Sequence, residues 1–246
     1  MAMTDNAKDG MASATDSPIT ARLLSRPLDT LVFVLPFILF YEIGCFVIRA
    51  HGEPGQRVVA FDLMRYFFEL FGSTGVWMPG FAVVIILLAT HMVSGREWTI
   101  HRRAVGWMYA ESAALAAPLL LFNLVLSASP QHWTARRHLY AEAVLGIGAG
   151  VYEELVFRLV LISIIVIIGT DLLRFSSRAT LIFAVIFSAL IFSAHHHPPL
   201  GSDPFSLRSF IFRTIAGLYL GALFVYRGYG PAAGTHAIYN LLVIVL

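Results

Sequence analysis

The feature that most constrains this chain is a recurrence of apolar runs long enough to cross a lipid bilayer. They fall at about 28–48, 76–93, 105–127, 142–168, 179–197, 208–226 and 231–246, each bounded by Arg, Gly or Pro clusters such as "RAHGEPGQR" and "HHPPLGSDP". A helix needs about 20 apolar residues to span the hydrocarbon core. Lipid-exposed backbone must satisfy its own hydrogen bonds, and the period-2 alternation of a barrel is absent, so the runs are predicted to be helices. Composition agrees: 58% of the 246 residues are hydrophobic and only 13% are charged, against about one quarter charged in an ordinary soluble domain. The expected fold is an all-α polytopic membrane helix bundle with about seven transmembrane helices.

One further segment reads differently. In residues 57–71, "RVVAFDLMRYFFELF", Asp62, Arg65 and Glu69 recur at helical spacing on one face, with aromatic and aliphatic residues around the rest. That pattern predicts an interfacial amphipathic helix. Residues 1–26 are polar, small and mixed in charge, without the apolar core of a signal peptide. A disordered N-terminal tail before an uncleaved first helix is expected, with residues 27–246 as a single transmembrane domain. The net charge of +2 gives no electrostatic case for a nucleic-acid partner. The lone Cys45 excludes an intramolecular disulfide and a Cys-rich metal cluster. With the N-terminus cytoplasmic, nine Lys and Arg fall inside and seven outside. The positive-inside rule slightly favours that orientation, in a multi-pass protein expected in the cytoplasmic membrane.

Charged groups inside such runs are costly and therefore informative. Glu42 lies near a run's end and reads as a group reaching the interface, while Glu111 and Asn123 read as interhelical hydrogen-bonding groups. Glu153 and Glu154 sit near mid-depth in "GAGVYEELVFRLVL", with Arg158 four residues after Glu154 on the same helical face. That pairing leaves Glu153, about 100° around the helix, without a local cation. It is then either part of a wider ion-pair network or a general base facing a cavity. The glycines Gly146, Gly148 and Gly150 before it permit close helix contact or a kink. His195, His196 and His197 end the fifth run; three consecutive histidines cannot share one helix face, so one or two at most point into the bundle. His236 and Asn240, four residues apart, share a face and suit either packing hydrogen bonds or an oxyanion-binding donor pair.

Together, Glu153-Glu154-x-x-x-Arg158, Phe192-x-x-x-His196 and His236-x-x-x-Asn240 resemble the three ordered motifs of the CAAX-protease and bacteriocin-processing family. This family of intramembrane endopeptidases includes the prenyl-protein protease. The resemblance covers about residues 140–246; Leu159 stands where many members carry glycine after the motif arginine. It implies peptide hydrolysis in a membrane cavity, on membrane-anchored or membrane-proximal substrates. Glu153 and His196 would activate water, His236 and Asn240 would hold the oxyanion, and Glu154 and Arg158 would orient them. The Phe192 register selects His196 over its neighbours. No cofactor is the favoured expectation. Zinc on His196, His236 and Glu153 is permitted by the residue types, but no H-E-x-x-H places two ligands on one turn.

Two other function classes fit parts of the pattern. A membrane scaffold or immunity factor would keep this fold without hydrolysis. A proton-coupled transporter would use Glu and His inside spans, although no inverted repeat is visible. One geometric difficulty accompanies the protease reading. His196 ends one span and His236 begins another from the opposite face. For the two to meet, the intervening connection must dip inward, or the 208–226 helix must be tilted or short.

Overall fold

The seven apolar runs all form helices in the computed structural model, which describes residues 26–50, 58–70, 72, 78–126 and 139–246. The tail expected over residues 1–26 lies, Arg26 apart, outside the described residues. In chain order the helices are α1 (Pro27–Ala50), α2 (Val59–Glu69), α3 (Met78–Val93), α4 (Arg102–Leu126), α5 (Leu139–Leu172), α6 (Ser177–Ala194), α7 (Leu207–Arg227) and α8 (Tyr229–Val245). The described residues contain no strand. Helices α1, α4, α5, α6 and α7 have the length and hydropathy to cross a membrane. The remaining two runs form the shorter α3 and α8, of 16 and 17 residues. The chain is thus an integral, multi-pass membrane protein with five span-length helices among the described residues.

Helix α2 occupies most of the segment predicted to be amphipathic. On its polar face Arg65 lies 3.5 Å from Asp62 and 3.8 Å from Glu69. Its opposite face packs Phe61 against the touching rings of Tyr41 and Tyr152, which ties the helix to α1 and α5.

Helix α5 is the axis of the bundle, with α8 and α1 packed along its first half and α6 along its second. The glycines before Glu153 explain how the neighbours come so close. Gly148 faces the ring of Tyr41 on α1, and a Cβ on Gly150 would lie 2.5 Å from the Ala237 nitrogen of α8. Small residues allow this approach where lipid offers no hydrophobic drive to helix association. The outward face of α6 carries exposed Ile182, Phe183, Ile186 and Leu190, as suits a surface solvated by acyl chains.

His196 and His236 do meet at Glu153, and α8 follows α7 through a tight junction. A single residue, Gly228, joins the two helices at φ 85°, a backbone conformation readily open only to glycine. The chain reverses there and α8 begins inside the protein: Tyr229 through Ala237 are all buried, and the Tyr229 hydroxyl donates to the Val151 carbonyl of α5 at 2.9 Å. His236, two turns into α8, meets Phe192 on α6, with ring centroids 5.9 Å apart.

Candidate active site

Glu153 and Glu154 mark a change in the backbone of α5. The α-helical hydrogen-bonding pattern gives way after Glu154 to a π-helical stretch, Leu155–Ile162, and a second one follows at Ile168–Leu172. Such a change of register leaves a carbonyl without its usual amide partner and is frequent at functional sites. Side-chain hydroxyls from neighbouring helices reach the carbonyls in this region: Tyr229 bonds Val151, and Ser188 of α6 bonds Phe157 at 2.6 Å. The wider π turn is therefore held from both sides.

Helices α5 and α6 form a hairpin whose arms, Glu153 to Leu172 and Ser177 to His195, contain nearly equal numbers of residues. Equal arms bring the end of α6 opposite Glu153. There the helix stops at Ala194, ahead of the Pro198-Pro199 pair, and the next residues no longer follow helical facing. As a result, the imidazoles of His195 and His196 both engage one acceptor: their Nδ1 atoms lie 2.5 and 2.9 Å from the Phe192 carbonyl. A carbonyl only accepts, so each Nδ1 carries a proton. Both Nε2 atoms point at Glu153 Oε1, at 3.5 Å from His195 and 4.0 Å from His196. His197 turns elsewhere, against Phe205 and Phe210. Two of the three histidines thus converge on Glu153, within the one or two expected to point inward, although the helix ends before them.

From α8, His236 bridges the two carboxylates. Its Nδ1 is 2.9 Å from Glu154 Oε1 and its Nε2 is 3.9 Å from Glu153 Oε2. Glu154 also faces Arg158, with Nε 3.1 Å from Oε2 and both side chains at 0% exposure. Arg158 is anchored further by the Gly217 carbonyl of α7 at 3.3 Å and by the Phe192 ring, whose centroid lies 4.2 Å from the guanidinium carbon. Glu154 and Arg158 thus form the paired ions that their spacing predicts. Glu153, without a cation on its own helix, has three imidazoles from two other helices. Asn240, one turn after His236, donates one amide hydrogen to the Gly146 carbonyl at 2.9 Å, and its second hydrogen stays available.

This cluster borders a cavity of about 560 Å³ between α4, α7 and α8, whose wall includes Phe192, His196, His236 and Asn240. His196 faces it with 21% of its side chain exposed, whereas His195 is 3% exposed behind it. Sequence reasoning passed over His195. The signal was the proline pair three residues on, which forces the helix to end near the histidines.

The potential ligand atoms that gather within 4.8 Å of one another are those of Glu153, His195 and His196. A carboxylate and two imidazole lone pairs are a donor set that zinc accepts. His236, in contrast, approaches the other Glu153 oxygen and has its Nδ1 committed to Glu154.

The other polar groups within the runs do different work. Glu42 is buried rather than at an interface, because the Tyr152 hydroxyl donates to it at 2.8 Å. Glu111 takes a two-point ion pair from Arg227 at 2.5 and 2.8 Å, which fastens α4 to the end of α7.

In comparison with protein families, residues 136–242 fit the model described as type II CAAX prenyl endopeptidase, Rce1-like. Among curated proteins and solved structures, none matches the chain. The matched segment runs from the start of α5 into α8 and contains every group of the Glu153 cluster. Over that segment the chain is similar to the Rce1-like type II CAAX prenyl endopeptidases.

Proposed function

We propose that this protein is an intramembrane endopeptidase that hydrolyses a peptide bond in the tail of a membrane-anchored or lipid-anchored substrate, in the cytoplasmic membrane with its N-terminus inside. The observation that carries the reading is the convergence of three imidazoles on Glu153, within 4.0 Å, beside a cavity. Glu153 and the neutral His196 are both acceptors, so a water placed between them has its hydrogens drawn off and a lone pair free. The water oxygen bonds to the substrate carbonyl carbon as its proton passes to Glu153. The carbon–nitrogen bond then breaks, and that proton goes to the leaving amine.

In this mechanism the oxyanion of the intermediate is held by Asn240, through its free amide hydrogen, and by His236. With Nδ1 donating to Glu154, the Nε2 of His236 is a donor only in the doubly protonated ring. The two adjacent carboxylates balance that charge. Glu154 and Arg158 position His236 and the π turn. We favour water activation without metal. Where zinc does bind, Glu153, His195 and His196 are the residues that would hold it, and it would supply Lewis acidity.

The test is cleavage of a panel of tail-anchored peptides by the purified protein in lipid vesicles, wild type against Glu153→Gln. Cleavage by the wild type and none by the folded variant is expected. Equal cleavage by the two would remove Glu153 from the reaction.

A further inference from the structure

The end of the bundle where α1 and α4 begin and α7 ends holds a second cavity, of about 580 Å³. Three arginines line it: Arg26 ahead of α1, Arg96 between α3 and α4, and Arg227 at the end of α7. The acidic residue in the wall, Glu111, is already engaged by its two-point pair with Arg227. Arg26 only grazes Asp29, at 4.0 Å. That carboxylate accepts the His101 amide at 2.8 Å through one oxygen and faces the His101 ring at 3.2 Å through the other. Arg96 is exposed and has no side-chain partner among the described residues, and Glu97 beside it is outside the cavity wall.

The loop that carries Arg96 is pinned at both ends. Ser94 Oγ donates to the His91 carbonyl at 2.7 Å, Trp98 packs edge-on against the buried His91 ring with centroids 4.5 Å apart, and the His101 amide is tied to Asp29. Arg96 is therefore presented at the cavity with its charge uncompensated. Arg102 and Arg103, also exposed, occupy the first turn of α4, where the helix dipole disfavours cations. An anion at this end of the bundle relieves both.

The rest of the wall limits which anion. Trp107 and Tyr226 line the cavity and are 72% and 78% exposed. They stand near the ends of the span-length helices α4 and α7, and amphipathic rings in such positions sit at the headgroup level of a bilayer. Guanidinium groups take phosphate oxygens through paired hydrogen bonds. A soluble phosphate would use the arginines and leave the two rings uncovered, whereas a phospholipid would use both.

We propose that this cavity binds the phosphate of an anionic phospholipid headgroup through Arg26 and Arg96, with Trp107 and Tyr226 against the glycerol backbone. Pro231, in the first turn of α8, is also in the wall, so the bound lipid braces the junction that leads to His236. The site stands independently of the proteolytic reading.

The test is thermal unfolding of the full-length protein in a neutral maltoside detergent, titrated with dioctanoyl phosphatidylglycerol, dioctanoyl phosphatidylcholine or inorganic phosphate. Phosphatidylglycerol should raise Tm saturably, as a ligand of the native state does, and the other two should not. Arg96→Gln removes an exposed, unpaired group; it should fold as wild type and bind about fivefold more weakly. The Arg26→Gln/Arg96→Gln double variant should lose the shift. Arg178→Gln, exposed on α6 outside the cavity wall, should keep the wild-type titration. Equal shifts from the two lipids, or no shift from either, overturn the site. So does a double variant that titrates like wild type, or Arg178→Gln weakened as much as Arg96→Gln, since the attraction would then belong to the surface at large. A full shift from inorganic phosphate alone would overturn the lipid assignment in favour of a soluble anion.

Discussion

Replacing Glu154 by glutamine separates architecture from chemistry at this site. The substitution keeps the shape and an oxygen for His236 but deletes the charge facing Arg158. Both members of that pair are at 0% exposure, with Nε 3.1 Å from Oε2. The remaining contacts of Arg158 are one carbonyl at 3.3 Å and the face of Phe192, and its Nη1 has no hydrogen-bond partner. A buried guanidinium left so poorly compensated costs about 3–5 kcal/mol. The assay is reversible unfolding in mixed micelles, with the Arg158→Met single variant and the Glu154→Gln/Arg158→Met double variant completing the cycle. Removing both charges together should cost markedly less than the sum of the single losses, because no unpaired ion remains. A loss below about 1 kcal/mol for Glu154→Gln, or additive losses in the double variant, would refute the claim that this pair is coupled.

Two further outcomes follow from the geometry around Glu153. Since His196 faces the cavity and His195 lies behind Glu153, His196→Ala should lose about a hundredfold or more in turnover and His195→Ala about tenfold; the reverse order in a peptide-cleavage assay would invalidate the Phe192 register. Asn240→Ala should slow turnover about a hundredfold with little change in substrate affinity, and activity should survive exhaustive dialysis against a chelator. Zinc that tracks activity across dialysed and reloaded samples would replace the metal-free mechanism.

Helical periodicity made much of this site legible from sequence. The Glu154–Arg158 pair, the shared face of His236 and Asn240, and the close approach at Gly148 and Gly150 all depend on residues within one helix or on absent side chains. The role of His195 did not show because register arithmetic assumes that a helix continues, and α6 stops at Ala194. Glu42 was misplaced for a related reason: its partner, Tyr152, is 110 residues away, and no local pattern announces it. Helix α8 follows α7 after Gly228 alone and buries its first half, Tyr229 to Ala237, so the last apolar run carries His236 into the bundle.

The same arrangement explains how Glu153 is tolerated at this depth. With Glu153, Glu154 and Arg158 ionised, the cluster holds two negative charges and one positive, and an apolar setting penalises the excess. Three imidazoles lie within 4.0 Å of Glu153, and a single proton on any of them restores neutrality. On the proposed reading, hydrolysis then requires only that the proton taken from water pass to Glu153 and on to the leaving amine. The buried pair Glu154–Arg158 takes no part in the transfer. Its work is to fix the background charge at zero, so that the proton balance of the remaining groups can turn on one unit.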